Sequence, residues 1–263
     1  NKGATVFTYG AQLDNIENDV YYYSKTKPTQ SGKYFYIEDG EISFWPEMPS
    51  APVSFLFIGN SFTYRGDYGT TDNPEIPAYF KKIADSYEIP VNVDYVVMGS
   101  HTLTKFADPT DEMGKIVEEK LTKNQYDYVI LQEQSTTPIN NYNTFLTAAK
   151  KLNTRIKQTQ SKAKTVLYET WGTPYNTKND SAAYGKTPDE MEAKLRTAYT
   201  NAGEELGCQV NYIGKAFTYA YETEHINIYN PSDNRHQNGL GAYLSAACHI
   251  RSFFKTTMKH CTE

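Results

Sequence analysis

From Val53 onward, short apolar β-favouring runs alternate with segments of helical periodicity, and no other feature restricts the fold as much. Strand and helix signals in alternation call for βαβ units around a parallel sheet. The runs cover 53–58, 91–97, 128–131, 165–168 and 210–213. Between them, Ile76, Tyr79, Phe80, Ile83 and Tyr87 fall on one helical face, as do Met113, Ile116, Val117 and Leu121. A long helix is expected over about 141–160, and another from Thr187-Pro188-Asp189-Glu190 with proline in its first turn. The last begins near Gly239 and carries Tyr243, Leu244, Ala247 and Ile250. The polar, turn-rich stretch 173–186 reads as a loop over the mouth of the sheet. The expected fold is a three-layer α/β/α, flavodoxin-like sandwich with a five-stranded parallel sheet, spanning 51–263.

Residues 1–50 follow a different pattern. Tyr21-Tyr22-Tyr23 and Tyr34-Phe35-Tyr36-Ile37 are short β-favouring runs, and Asp39-Gly40 before Glu41-Ile42-Ser43-Phe44-Trp45 signals a second hairpin. Pro46, Pro49 and Pro52 break the pattern before the first strand of the sheet. This part reads as a small β-rich N-terminal extension without recognisable chemistry.

Composition narrows the partners. A formal charge of −5, with no basic run, argues against nucleic acid or an anionic membrane. No apolar stretch approaches the roughly 18 residues that span a bilayer. The 23 tyrosines supply flat apolar faces with polar tips, which suit sugar or peptide contacts. Cys208, Cys248 and Cys261 do not form a disulfide framework, although Cys248 and Cys261 could pair, and none has metal-ligand spacing. No metal or cofactor is expected. The chain starts at Asn1 without a methionine, which reads as processing or trimming, and the expected location is secreted, periplasmic or surface-attached.

The chemistry is sought where strands end, because functional groups of open α/β sheets collect at their carboxyl ends. The first strand runs into Gly59-Asn60-Ser61-Phe62-Thr63, so Ser61 stands at that rim. A serine hydroxyl needs a base, usually a histidine oriented by a carboxylate. Asp233-Asn234-Arg235-His236 follows the last strand and would reach the same rim. Glu133 and Glu169 also end strands there, but a two-carboxylate glycosidase pair would leave Ser61 and Asp-x-x-His without a role.

These two blocks resemble those of the SGNH hydrolases, the GDSL esterases and lipases, and the resemblance runs over 53–255 in order and in strand position. Asparagine stands at Asn60 where the family's first block has aspartate. Gln237-Asn238-Gly239-Leu240-Gly241 continues the last block into a small-residue helix. The resemblance implies Ser61 as nucleophile, His236 as base and Asp233 as orienting acid. It implies oxyanion donors in the amide of Ser61 and in Gly99, with Ser100 the alternative. The third block departs: Gln132-Glu133-Gln134-Ser135-Thr136 has no asparagine and partly resembles that of carbohydrate-esterase branches. A glutamine amide could replace the missing donor, Gln134 before Gln132.

Asn60, Ser100, His101, Trp171 and Tyr175 complete the candidate substrate contacts. Trp171 and Tyr175 suit stacking on a sugar ring or plain packing, and His101 either borders the site or is a polar loop residue. The expected activity is removal of a small acyl group, acetyl first, from a glycan or small-molecule ester. A lysophospholipase or thioesterase, or a glycan-binding protein on the same scaffold with lapsed catalysis, are the alternatives.

Overall fold

The computed structural model describes residues 51–254, Pro49 and four short strands nearer the N-terminus. Those strands form two antiparallel pairs: Phe7–Thr8 (β1) with Ala11–Gln12 (β2), and Phe35–Glu38 (β3) with Glu41–Phe44 (β4). The strands expected on either side of Asp39-Gly40 therefore pair, while Asp39, Gly40 and the Tyr21-Tyr22-Tyr23 run lie outside the described residues. Cys208 and Cys248 are free thiols, and Cys261 also lies outside the described residues.

The central sheet holds β5 (Val53–Gly59), β6 (Val91–Val97), β7 (Tyr128–Leu131), β8 (Lys164–Glu169) and β9 (Gln209–Tyr212). Its strands are all parallel in the order β6-β5-β7-β8-β9, the doubly wound arrangement expected from the sequence. Strand β5 shows why it folds as it does. Its side chains alternate between the two faces of the sheet. Phe55 and Phe57 enter one core with Phe80 and Ile250, while Leu56 and Ile58 enter the other with Val117, Phe145 and Leu195. Both faces are buried, as a parallel sheet requires.

The helices Glu75–Ser86 and Gly239–Phe254 supply the first core; Glu112–Lys123, Tyr142–Thr159 and Pro188–Leu206 supply the second. Capping explains the starts of three helices: Asp111 accepts from Met113 N, Asn141 from Thr144 N, and Thr187 from Glu190 N.

The stretch 173–186 is not the loop expected. It folds into two short helices, Pro174–Asn179 and Ser181–Tyr184. Thr173 and Asp180 cap them, and Pro174 stands in the first turn. The turn-forming residues there act as caps. No helix of the described residues is long and apolar enough to cross a membrane.

Candidate active site

Strand β5 ends at Gly59, and the chain turns at once into the single helical turn α1 (Ser61–Tyr64). Asn60 caps this turn through Oδ1, which accepts from Phe62 N at 3.1 Å. Its Nδ2 donates to His101 O at 2.8 Å, and its backbone N–H donates to Gln132 Oε1 at 2.8 Å. One buried asparagine thus joins the ends of β5, β6 and β7. With its side chain committed and buried, Asn60 holds the nucleophile block together and is not the substrate contact expected.

Gly59 is needed for this closeness. A Cβ there would stand 2.3 Å from Thr63 Oγ1 and 2.6 Å from Gln132 Oε1. No side chain fits at that separation.

Ser61, His236 and Asp233 form one hydrogen-bonded chain. Ser61 Oγ lies 2.7 Å from His236 Nε2, and His236 Nδ1 lies 2.6 Å from Asp233 Oδ2. The loop carrying the pair is closed on itself: Asn230 N donates to His236 O at 2.8 Å, and Asn234 N donates to Asn230 O at 2.8 Å. Asn234 takes the left-handed conformation at φ 50°, which asparagine tolerates. Asp233 Oδ1 accepts from the backbone N–H of Arg235 and of His236, each at 3.0 Å. Asp-x-x-His spacing therefore folds the carboxylate back onto its own histidine.

Electrostatics fix the proton positions. Burial would raise the Asp233 carboxyl, but the imidazole hydrogen bond and the two backbone N–H groups outweigh it and hold the pKa below the usual range. An ionised Asp233 accepts a hydrogen bond from Nδ1–H, which keeps the ring proton on Nδ1 and leaves the lone pair of Nε2 facing the serine hydroxyl. Burial lowers the pKa of His236; Asp233 opposes this, and the positive charges of Arg65 and Arg235 add to the lowering. The imidazole is neutral at neutral pH, the form that accepts a proton.

Arg65, Arg235 and Gln237 were not singled out in the sequence. Arg65 Nη1 donates to Asp233 Oδ2 at 3.4 Å and lies 3.0 Å from His236 Nδ1. Both of those nitrogens carry hydrogen in this tautomer, so the shorter contact is a close approach and not a hydrogen bond. Gln237 Nε2 donates to Arg65 O at 2.7 Å and Ser61 O at 3.3 Å, tying the last block to α1. The available signal was position alone: Arg65 closes the turn that Ser61 opens, and Arg235 and Gln237 flank His236.

The remaining candidates divide. Gly99 packs against Tyr64, whose Oη would lie 3.0 Å from a Cβ at that position. Ser100 is exposed with φ 60°. His101 is half-buried beside Asp111, at 3.3 Å. Gln132 is buried with its amide committed: Oε1 serves Asn60 N and Thr63 Oγ1, and Nε2 donates to Glu133 O. It braces the blocks from a fully buried position, 0% exposed, with one amide N–H held by Glu133 O. Gln134 turns Oε1 to the N–H groups of Thr136 and Thr137 and leaves Nε2 only a 3.4 Å contact with Ser135 Oγ.

Trp171 is a correction. It is 0% exposed, stacked on Phe217 with centroids 3.9 Å apart, and its Nε1 donates to Arg235 O at 3.2 Å. A sugar ring cannot reach it. Tyr175, at 41% exposure, remains open at the rim beneath the Arg235 guanidinium. No cluster of His, Cys, Asp or Glu among the described residues could hold a metal ion.

No family model matches the sequence, and no curated protein matches it. Solved structures match its fold. A protein of Slackia heliotrinireducens provisionally assigned to the SGNH hydrolases aligns with a TM-score of 0.61 at 19% identity, over 77% of this chain and 99% of its own. A lipase/acylhydrolase of Enterococcus faecalis gives 0.56 at 16% identity, over 80% and 100%. An acetylxylan esterase of Geobacillus stearothermophilus gives 0.57 at 15% identity, over 81% and 98%. At such identities the likeness is one of architecture: the chain has an SGNH hydrolase-like fold.

Proposed function

We propose that this chain is a serine ester hydrolase that removes a small acyl group, acetyl by preference, from a carbohydrate through an acyl-enzyme. The observation that carries the reading is the unbroken chain from Ser61 Oγ through both nitrogens of His236 to Asp233. His236 Nε2 takes the hydroxyl proton as Ser61 Oγ attacks the acyl carbonyl, and Asp233 stabilises the imidazolium. The backbone amides of Ser61 and Gly99 are assigned to the oxyanion. Gln134 is the side-chain donor, since Gln132 is fully buried while Gln134 is part-exposed with a weakly held amide nitrogen. Collapse of the tetrahedral adduct expels the alcohol, which takes the proton back from His236. Water then gives a proton to the same nitrogen, attacks the acyl-enzyme and releases the acid, restoring Ser61.

The carbohydrate preference rests on the partial third-block resemblance and on Tyr175, exposed beside the loop that carries Asp233 and His236. It draws further support from the fold shared with an acetylxylan esterase. A fluorophosphonate probe should label the intact protein and fail with Ser61→Ala. Acetate release from acetylated sugars should exceed hydrolysis of esters with longer acyl chains. Rates that rise with acyl length would favour a lysophospholipase or thioesterase. Failure of the intact protein to label would favour a glycan-binding protein.

A further inference from the structure

The geometry points to a substrate that carries a carboxylate near the scissile ester, as on a sugar acid, received by Arg235; this deepens the esterase reading above and rests on it. Arg235 is fixed at the rim by the same loop that carries Asp233 and His236. Its N–H donates to Asp233 Oδ1 at 3.0 Å, and its carbonyl accepts from Trp171 Nε1 at 3.2 Å. The guanidinium lies over the Tyr175 ring, with Cζ 4.4 Å from the centroid, and Tyr175 is held in turn by its N–H to Asn234 O at 3.1 Å.

This anchored cation has no anion of its own. Among the described residues no acidic side chain pairs with Arg235, and its Nε is withdrawn from solvent without an acceptor. Asp233, the carboxylate beside it in the loop, already serves the imidazole, two backbone N–H groups and Arg65. A chain of net charge −5 thus sets two arginines around its Asp233–His236 pair: Arg65 touches both residues, and the Arg235 charge is near enough to act on the imidazole. A guanidinium held over an aromatic ring can still offer its terminal N–H groups, and a pair of these matches the two oxygens of a carboxylate.

The test compares two acetyl esters with the same ring and the same acetylated hydroxyl, a methyl glucuronoside and the corresponding methyl glucoside. The acid should show about tenfold higher kcat/KM, carried by KM, as one well-placed charge contact provides. The preference should fall toward unity in Arg235→Gln, survive in part in Arg235→Lys, and weaken as salt is raised. Calorimetry with the Ser61→Ala protein, which reads binding without turnover, should give the same order. Equal kcat/KM for the two esters, or a preference that survives Arg235→Gln undiminished, overturns the inference. If Ser61 takes up a fluorophosphonate while charge has no effect, only this inference falls; if Ser61 does not react at all, the esterase reading falls and takes it along.

Discussion

Arg65 Nη1 stands 3.0 Å from His236 Nδ1, closer than the 3.4 Å that separates it from the Asp233 oxygen it donates to. A fixed positive charge so near the imidazole makes a second positive charge on the ring costly. It acts in the same direction as burial, which is the larger cause of the low pKa of His236. The proposed base therefore keeps its lone pair at lower pH than an ordinary histidine would.

Arg65→Gln should move the acid limb of the kcat/KM profile to higher pH. With the cation gone, the pKa of His236 rises toward its usual range, so protonation removes the base earlier as pH falls. Loss of rate should be largest in acid and smaller at alkaline pH, beyond a constant factor from the lost contact to Asp233. Profiles of the two proteins on one ester decide it, and a limb that stays in place or moves to lower pH would contradict this account.

Asp233→Asn tests the tautomer. The asparagine carbonyl can still accept from the N–H groups of Arg235 and His236, so the loop should keep its shape. Its amide would then donate to Nδ1 and drive the imidazole proton onto Nε2, where it faces Ser61 as a second donor. A fall of about 10³–10⁴ in kcat is expected, with little change in thermal stability. Ester kinetics and a melting curve on the same preparation check both halves.

Much of this was legible in the sequence because its signals are local. A strand that runs into Gly-Asn-Ser and an Asp three residues before a His each announce themselves within one turn of chain. The alternating periodicity then delivers both to the same rim. Arg65 and Gln237 could not be read this way. Their roles arise from contacts 168 to 176 residues apart, and an arginine four places after a serine has no pattern of its own. Trp171 was ambiguous for a related reason. The sequence fixes that it follows a strand, but not that the chain there turns it inward onto Phe217. The two glutamines of the third block could be told apart only by the partners that Gln132 finds on β5 and α1.

Trp171→Ala should act on stability first. It would empty a site filled by a fully buried indole stacked on Phe217, at a cost of about 3–5 kcal/mol. It would also remove the hydrogen bond to Arg235 O that steadies the loop. Trp171→Phe keeps part of the stack and should cost less. Chemical denaturation gives the order. A Trp171→Phe protein of unchanged stability that nonetheless lost sugar affinity would return the residue to substrate stacking.

Glu133 gives stability its own pH dependence. The residue is buried between the second and third blocks, with both carboxylate oxygens 3.2 Å from Leu103 N and one 2.6 Å from Gln134 N. Burial raises its pKa to about 7 from 4.5, with the two backbone N–H groups opposing. An acid with a raised pKa binds its proton more tightly folded than unfolded. It therefore favours the fold below the unfolded pKa and loses that contribution as pH climbs through the folded one. Glu133→Gln imitates the protonated acid at every pH. The stability of the natural protein relative to Glu133→Gln should fall between about pH 4.5 and 7, by at most on the order of 3 kcal/mol, and level off above. Glu133→Ala should be less stable than either across the range, because two buried N–H groups lose their acceptor, at about 1–3 kcal/mol each. Urea denaturation of the three proteins at stepped pH measures the slope, and a difference between the natural protein and Glu133→Gln that stays constant with pH would mean that Glu133 has the same pKa folded as unfolded.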